Sequence, residues 1–355
     1  MRGAGSALAA AVAALLTGCS QRVPAPDRGV ERLAESGEDP WGTPWHEPPF
    51  VRAAADLPPA VERGVRESLA SAARAWGAVG PLEYWIVGTD EAALEELVAS
   101  YCARRQARGD WTEGPCTDEA LARGHDHNFR SYLEVGAEAL RRSQPQSSMG
   151  WNGRREWSVH LYTSSRPFGF EGLLGVSAAE EQKTVFHEYF HAVQNAAIHS
   201  RDHEEREALM GPVWFVEGGA EFMAERTVRR ALASGDLATL PGGGLPPLRT
   251  VFARRMEAAR DLLDRTSPGA RIGELGYDHV AASAAYDLGA WAVALLLHGA
   301  GDDALLTDFY PRLDALGWDG AFEATFGCSA ASFDEEFARF LRQPLDAQLQ
   351  VVPDL

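Results

Sequence analysis

The sequence predicts an α+β fold: a small N-terminal sheet with helices, a pair of adjacent helices carrying a candidate metal site, and a mostly helical C-terminal part. Three observations predict it. Short strand-like runs, Leu82–Val87 and Trp157–Tyr162, fall only in the first half of the chain. Helical spacing of apolar residues dominates from residue 177 onward. The composition of the 355 residues, 45% hydrophobic and 24% charged, is that of packed domains and not of disordered or disulfide-dense chains. With 51 acidic residues against 33 Lys plus Arg, the formal charge of −18 repels phosphate backbones, and no basic run offsets it, so no nucleic-acid partner is expected.

The elements follow in order. Met1 and Arg2 precede an apolar run, Ala7 to Leu16, that closes on Leu16, Thr17, Gly18 and Cys19, which is the layout of a signal peptide over residues 1–18. That ending resembles a bacterial lipobox. The resemblance implies cleavage before Cys19, lipidation of Cys19, and a membrane anchor of several acyl chains, each buried methylene adding about 0.8 kcal/mol. Ser20 resembles an outer-membrane sorting residue, so the implied place is the bacterial cell envelope, facing either periplasm or surface. No later stretch is long enough to span a bilayer, since Leu288 to Leu297 is bracketed by Asp287 and His298.

Residues 19–59, dotted with prolines, read as a tether. The domain then runs from 60 to 345. Its α/β part, 60–170, holds a helix over Ala60–Trp76, the strand Leu82–Val87, helices over Glu91–Arg105 and Phe129–Arg142, and the strand Trp157–Tyr162. Cys102 and Cys116 flank a polar loop, and in a disulfide-permitting compartment they are expected to pair for about 3 kcal/mol, leaving Cys328 as a small buried apolar side chain.

Residues 171–233 form the central helices. Ser177 and Glu180 make a capping box at the start of a helix reaching about Ile198. A second helix begins near Pro212, and its Val213, Phe215, Val216 and Phe222 predict burial. A Pro- and Gly-rich loop spans 234–247. The helical part, 250–345, comprises Val251–Leu263, Tyr277–Leu297, Ala304–Leu316 and Phe333–Arg342, the last behind a Ser332/Glu335 box, and 346–355 is a tail.

The chemistry concentrates in the central helices. His187, Glu188 and His191 form an H-E-x-x-H pattern, which chance would produce about 0.02 times in a chain of this length and His content. Histidines four apart differ by about 40° around a helix, so both rings can reach one metal ion, while Glu188, about 100° from His187, can face a water there. Val185, Phe186, Tyr189, Phe190 and Val193 bury the rest of that helix, and buried polar groups need partners. A third ligand is expected, and Glu217 and Glu221, again four apart on an apolar helix, are costly unless paired with cations or metal. Gly218 and Gly219 beside them predict a close backbone approach to the His helix. His199 and His203 lie in a charged stretch and are expected to be exposed. His125, Asp126 and His127 are read as a polar turn.

These two segments resemble the gluzincin zinc metallopeptidases, the group that includes thermolysin and the zinc aminopeptidases. There an HExxH helix is followed by a Trp-x-x-Glu-Gly-x-Ala-Glu helix, here Trp214 to Glu221. The resemblance covers residues 183–225 specifically and extends more loosely to about 340. It implies a gluzincin/thermolysin-like fold, Zn2+ held by His187, His191 and Glu217, Glu188 as general base and acid, and Glu221 accepting a hydrogen bond from a ligand histidine. It implies a peptide or protein substrate and a Tyr or His that donates to the transition-state oxyanion. Tyr277, His279 and Tyr286 are the candidates, with Tyr286 preferred. The strand Trp157–Tyr162 would be the sheet edge that pairs with extended substrate. A Gly-x-Met-Glu-Asn segment is missing, which points away from aminopeptidases and towards an endopeptidase. Two other readings stay open: an inactive zinc-fold scaffold or binding lipoprotein, and a zinc hydrolase acting on a non-peptide bond.

Overall fold

The computed structural model describes residues 39–110, 115–124, 127–143, 149–166, 169–170, 177–240 and 244–355, without the side chains of 149–153. The signal peptide, Cys19 and Ser20 lie outside the described residues. By internal packing the described chain divides into two units, residues 38–193 with 227–245, and 194–226 with 246–355. The architecture is α+β and mostly helical, as expected.

The first unit is built on one sheet. Strands β1 (Phe50–Ala53), β2 (Leu82–Val87), β3 (Met149–Gly153) and β4 (His160–Ser165) take the order β1-β2-β4-β3, parallel at the first two junctions and antiparallel at the last. Every residue of β2 and β4 is buried, as befits interior strands carrying helices. Helices α1 (Pro59–Trp76), α2 (Glu91–Arg108), α3 (Cys116–Leu121) and α4 (Phe129–Arg142) connect them. Asp90 caps α2 through the Ala93 amide, and Asn128 with Ser131 closes a reciprocal box on α4. One core gathers Trp85, Leu94, Leu97, Tyr101, Phe129 and Leu133. Cys102 and Cys116 are bonded, with Cα atoms 5.7 Å apart.

Several expectations are corrected here. Residues 39–59 of the expected tether hold packed structure: Trp41 is 1% exposed and stacks on His160 at 4.0 Å, and Phe50–Ala53 adds a strand to β2. Four residues between prolines are too few for periodicity to register, yet the edge is finished by side chains of α1. Arg66 donates to the Val51 carbonyl and the Ala53 amide donates to Glu62, which closes the open edge. The expected strand Trp157–Tyr162 begins three residues later, because Arg155–Trp157 is a 3-10 turn and Ser158 has φ 50°. Nor is it an edge: β4 lies between β2 and β3, so its backbone is already paired on both sides.

Helix α5 (Ala178–Ala196) follows, opened by the expected box: the Ser177 amide donates to Glu180 Oε2 at 2.6 Å and the Glu180 amide to Ser177 Oγ at 3.1 Å. Its apolar face packs on Trp76, whose ring lies 5.7 Å from that of Phe186 and 5.0 Å from that of Phe190. Two hydroxyls pin it: Tyr162 donates to the Glu188 carbonyl, and Tyr189 to the Gly77 carbonyl at 2.7 Å.

The second unit is helical. Helix α6 (His203–Met210), amid a stretch read only as charged, is capped by Asp202. Helix α7 (Val213–Ser234) starts after Pro212, and α8 (Leu248–Thr266) after Pro247. Helix α9 (Ala282–Ala300) begins five residues later than expected, since Gly276–Ala281 forms a turn. The expected helix Ala304–Leu316 is instead a π segment, Leu305–Phe309, and a 3-10 turn, Tyr310–Arg312, before α10 (Leu313–Phe326); Pro311 cannot donate into a regular ladder. Helix α11 (Ala330–Phe340) is capped by Ser329, three residues before the expected Ser332. The expected tail is packed: α12 (Leu345–Gln348) leads to Val351 and Val352, both buried, and the Leu248 amide donates to the Leu355 carbonyl. Cys328 is buried, as expected. Trp214, Phe215, Trp318, Phe322, Phe326 and Phe333 form the aromatic centre of this unit.

Gly218 of α7 explains one close approach. A Cβ there would lie 2.1 Å from the carbonyl carbon of Gly289 in α9, and one on Gly289 would lie 2.2 Å from the Trp214 carbonyl oxygen. The close contact Gly218 permits is therefore with α9, rather than with the His helix as expected.

Candidate metal centre

Helix α5 presents His187, Glu188 and His191, and helix α7 presents Glu217 and Glu221. His187, Glu188 and Glu217 are each 7% exposed, and His191 is half-buried. The Nε2 atoms of His187 and His191 are 3.0 Å apart with the rings nearly perpendicular, the relation the i, i+4 spacing dictates. His187, His191 and Glu217 each offer a ligand atom, and these atoms lie within 4.8 Å of one another. Two imidazole nitrogens and a carboxylate oxygen suit a divalent metal such as zinc, and three protein ligands leave a coordination position open. This buried group can hold a metal ion.

The floor beneath α5 carries a buried charge. Arg166, fully buried, ion-pairs with Glu181 on α5 and donates to the Tyr84 hydroxyl at 2.9 Å. Burial pushes the Glu181 carboxyl up to about 7 despite the opposing pull of Arg166. Burial also raises the hydroxyls of Tyr84 and Tyr162, and the charge of Glu188 adds to both. Tyr162 thus keeps the proton it donates to the Glu188 backbone, which holds the first turn of the H-E-x-x-H segment in place.

On α7, Glu221 and Glu225 face Arg255 of α8. Arg255 Nη2 lies 2.7 Å from Glu221 Oε2 and 3.4 Å from Glu225 Oε1, and its Nη1 lies 2.8 Å from Asp287 of α9. Burial works against the guanidinium's charge, but the three carboxylates outweigh it and raise its pKa. Arg255 and Asp287 carried no sequence signal, since nothing local links residues more than thirty positions apart. The carboxylate pair on an apolar helix was the clue that a cation had to be present.

Of the three donor candidates, Tyr277 is placed on the metal group: its hydroxyl donates to Glu217 Oε1 at 2.6 Å. Burial of that hydroxyl and then the Glu217 charge push its pKa well up. His279 Nδ1 accepts from the Ala281 amide at 3.0 Å, so the neutral ring carries its proton on Nε2. Tyr286 is half-buried in the first turns of α9. His203 is exposed as expected, while His199 is half-buried and 3.6 Å from Asp314. His125 and Asp126 lie outside the described residues, and His127, with φ 61°, sits in a turn beside the Tyr132 hydroxyl.

Neither protein-family models, nor curated proteins, nor solved structures gave a match to this chain. Among the described residues no helix is long and apolar enough to cross a membrane.

Proposed function

We propose that the chain is a zinc-dependent hydrolase of peptide bonds, an endopeptidase of the gluzincin kind, anchored to the bacterial envelope through Cys19. The observation that carries the reading is the convergence of His187, His191 and Glu217 within 4.8 Å, with Glu188 on the same turn as the first histidine. A bound zinc ion would supply Lewis acidity towards a carbonyl oxygen and a water. The chain's own groups do the rest. Glu188 accepts a proton from water and returns it to the leaving amine. His279 Nε2 or the Tyr286 hydroxyl donates to the oxygen on which charge develops. Glu221, tied to Arg255, would steady α7 behind Glu217 and orient a ligand histidine.

The test separates the base from the metal. Glu188→Ala should leave zinc content at that of the parent and abolish cleavage of a peptide panel. Cleavage at the parental rate would show that Glu188 is not the base, and activity confined to ester or amide substrates outside peptides would replace the peptidase reading with a broader hydrolase.

A further inference from the structure

Tyr277 stands in a turn built to hold it. The His279 amide donates to the Gly276 carbonyl at 3.1 Å, the Ala282 amide to the His279 carbonyl at 2.9 Å, and the Ala281 amide to His279 Nδ1. The turn is therefore fixed by its own bonds where it enters α9. Tyr277 is 56% exposed, so packing does not account for its placement, yet its hydroxyl reaches a carboxylate sixty positions earlier in the chain. That carboxylate is the acid of the metal group.

We propose that Tyr277 is a positioning residue for the metal: it donates its one phenolic proton to Oε1 of Glu217, fixes that long side chain in a single orientation, and favours coordination through one carboxylate oxygen. The inference rests on the metal reading above. A glutamate has three rotatable side-chain bonds, and holding it ready before the metal arrives removes an ordering cost from binding. The same bond limits what Tyr277 does in the reaction. A phenol has one proton, so while it is given to Glu217 it is not available to a reacting oxygen, and the donor's part falls to His279 or Tyr286.

The test uses the full chain purified in detergent and two readouts, zinc affinity by competition with a chelator and kcat at saturating zinc. Tyr277→Phe should weaken zinc binding about 10-fold or more, the range for loss of an outer partner of a metal ligand, and any fall in kcat should accompany that loss of affinity rather than occur without it. In a Glu217→Ala background, which leaves no acceptor to position, the same substitution should change the residual zinc affinity no further. Unchanged zinc affinity in Tyr277→Phe overturns the proposal. So does a loss of kcat with zinc affinity intact, which would make Tyr277 a donor to the reacting group. If the parent itself binds no zinc, the metal reading fails and takes this inference with it, an outcome distinct from the other two.

Discussion

Gly218→Ala sets two opposed effects against each other at the residue next to Glu217. In an ordinary helix interior the change stabilises by about 1 kcal/mol, because alanine has the higher helix propensity. Here the new Cβ lands 2.1 Å from the carbonyl carbon and 2.4 Å from the Cα of Gly289, where ordinary contact begins near 3.4 Å. Both opposing atoms are backbone, so no side chain can swing aside. Helices α7 and α9 must part by roughly 1 Å, and overpacking of that order costs about 1–3 kcal/mol. The expected net effect is a destabilisation of up to about 2 kcal/mol. Because Glu217 moves with α7, zinc affinity should fall as well. Urea unfolding of the metal-free protein measures the first, and chelator competition the second. A variant more stable than the parent, with zinc affinity unchanged, would refute the close-contact argument.

Other predictions follow from the same structure. Replacing Cys102 and Cys116 by Ala should lower stability by about 3 kcal/mol, read from the shift of the urea midpoint against the parent, since the bond closes a loop of 14 positions. Arg255→Met leaves Glu221, Glu225 and Asp287 without their shared cation and should cost about 3 kcal/mol at pH 7. That loss should shrink as pH falls and the carboxylates protonate, so a constant loss between pH 7 and 4 would argue against it. Glu181 binds its proton more tightly folded than unfolded, with a folded pKa of about 7. Between the ordinary carboxylate range and pH 7 the native state therefore holds more protons, and this group makes stability fall as pH rises across that window. Glu181→Gln should flatten that part of the stability profile, which denaturant titrations at several pH values would reveal.

What was legible in the sequence was what is local. The His187/His191 pair, the Ser177/Glu180 box and the Cys102–Cys116 pair each depend on spacing along one segment, and a helix or a short loop converts spacing directly into distance. The apolar run around Glu217 and Glu221 announced a buried helix with charges to be neutralised. What was not legible depends on partners far along the chain. Nothing near Gly218 names Gly289 as the backbone it meets, and nothing near Glu221 names Arg255. Strand β1 was hidden because four residues between prolines carry no periodicity, and its place on the sheet comes from pairing with β2, reinforced by Arg66 and Glu62 from the following helix. Tyr277 was expected within the first turn of a helix. Its turn, stabilised by the His279 side chain, instead frees it to reach Glu217.

Bound metal per molecule, measured by elemental analysis of the purified chain beside His187→Ala and Glu217→Ala, tests the central claim most directly. About one zinc per chain is expected in the parent, with loss or sharp weakening in both variants, because each removes one of three converging groups that can hold the ion. A parent that takes up no zinc even after reconstitution, or variants that keep it at parental affinity, would contradict the claim.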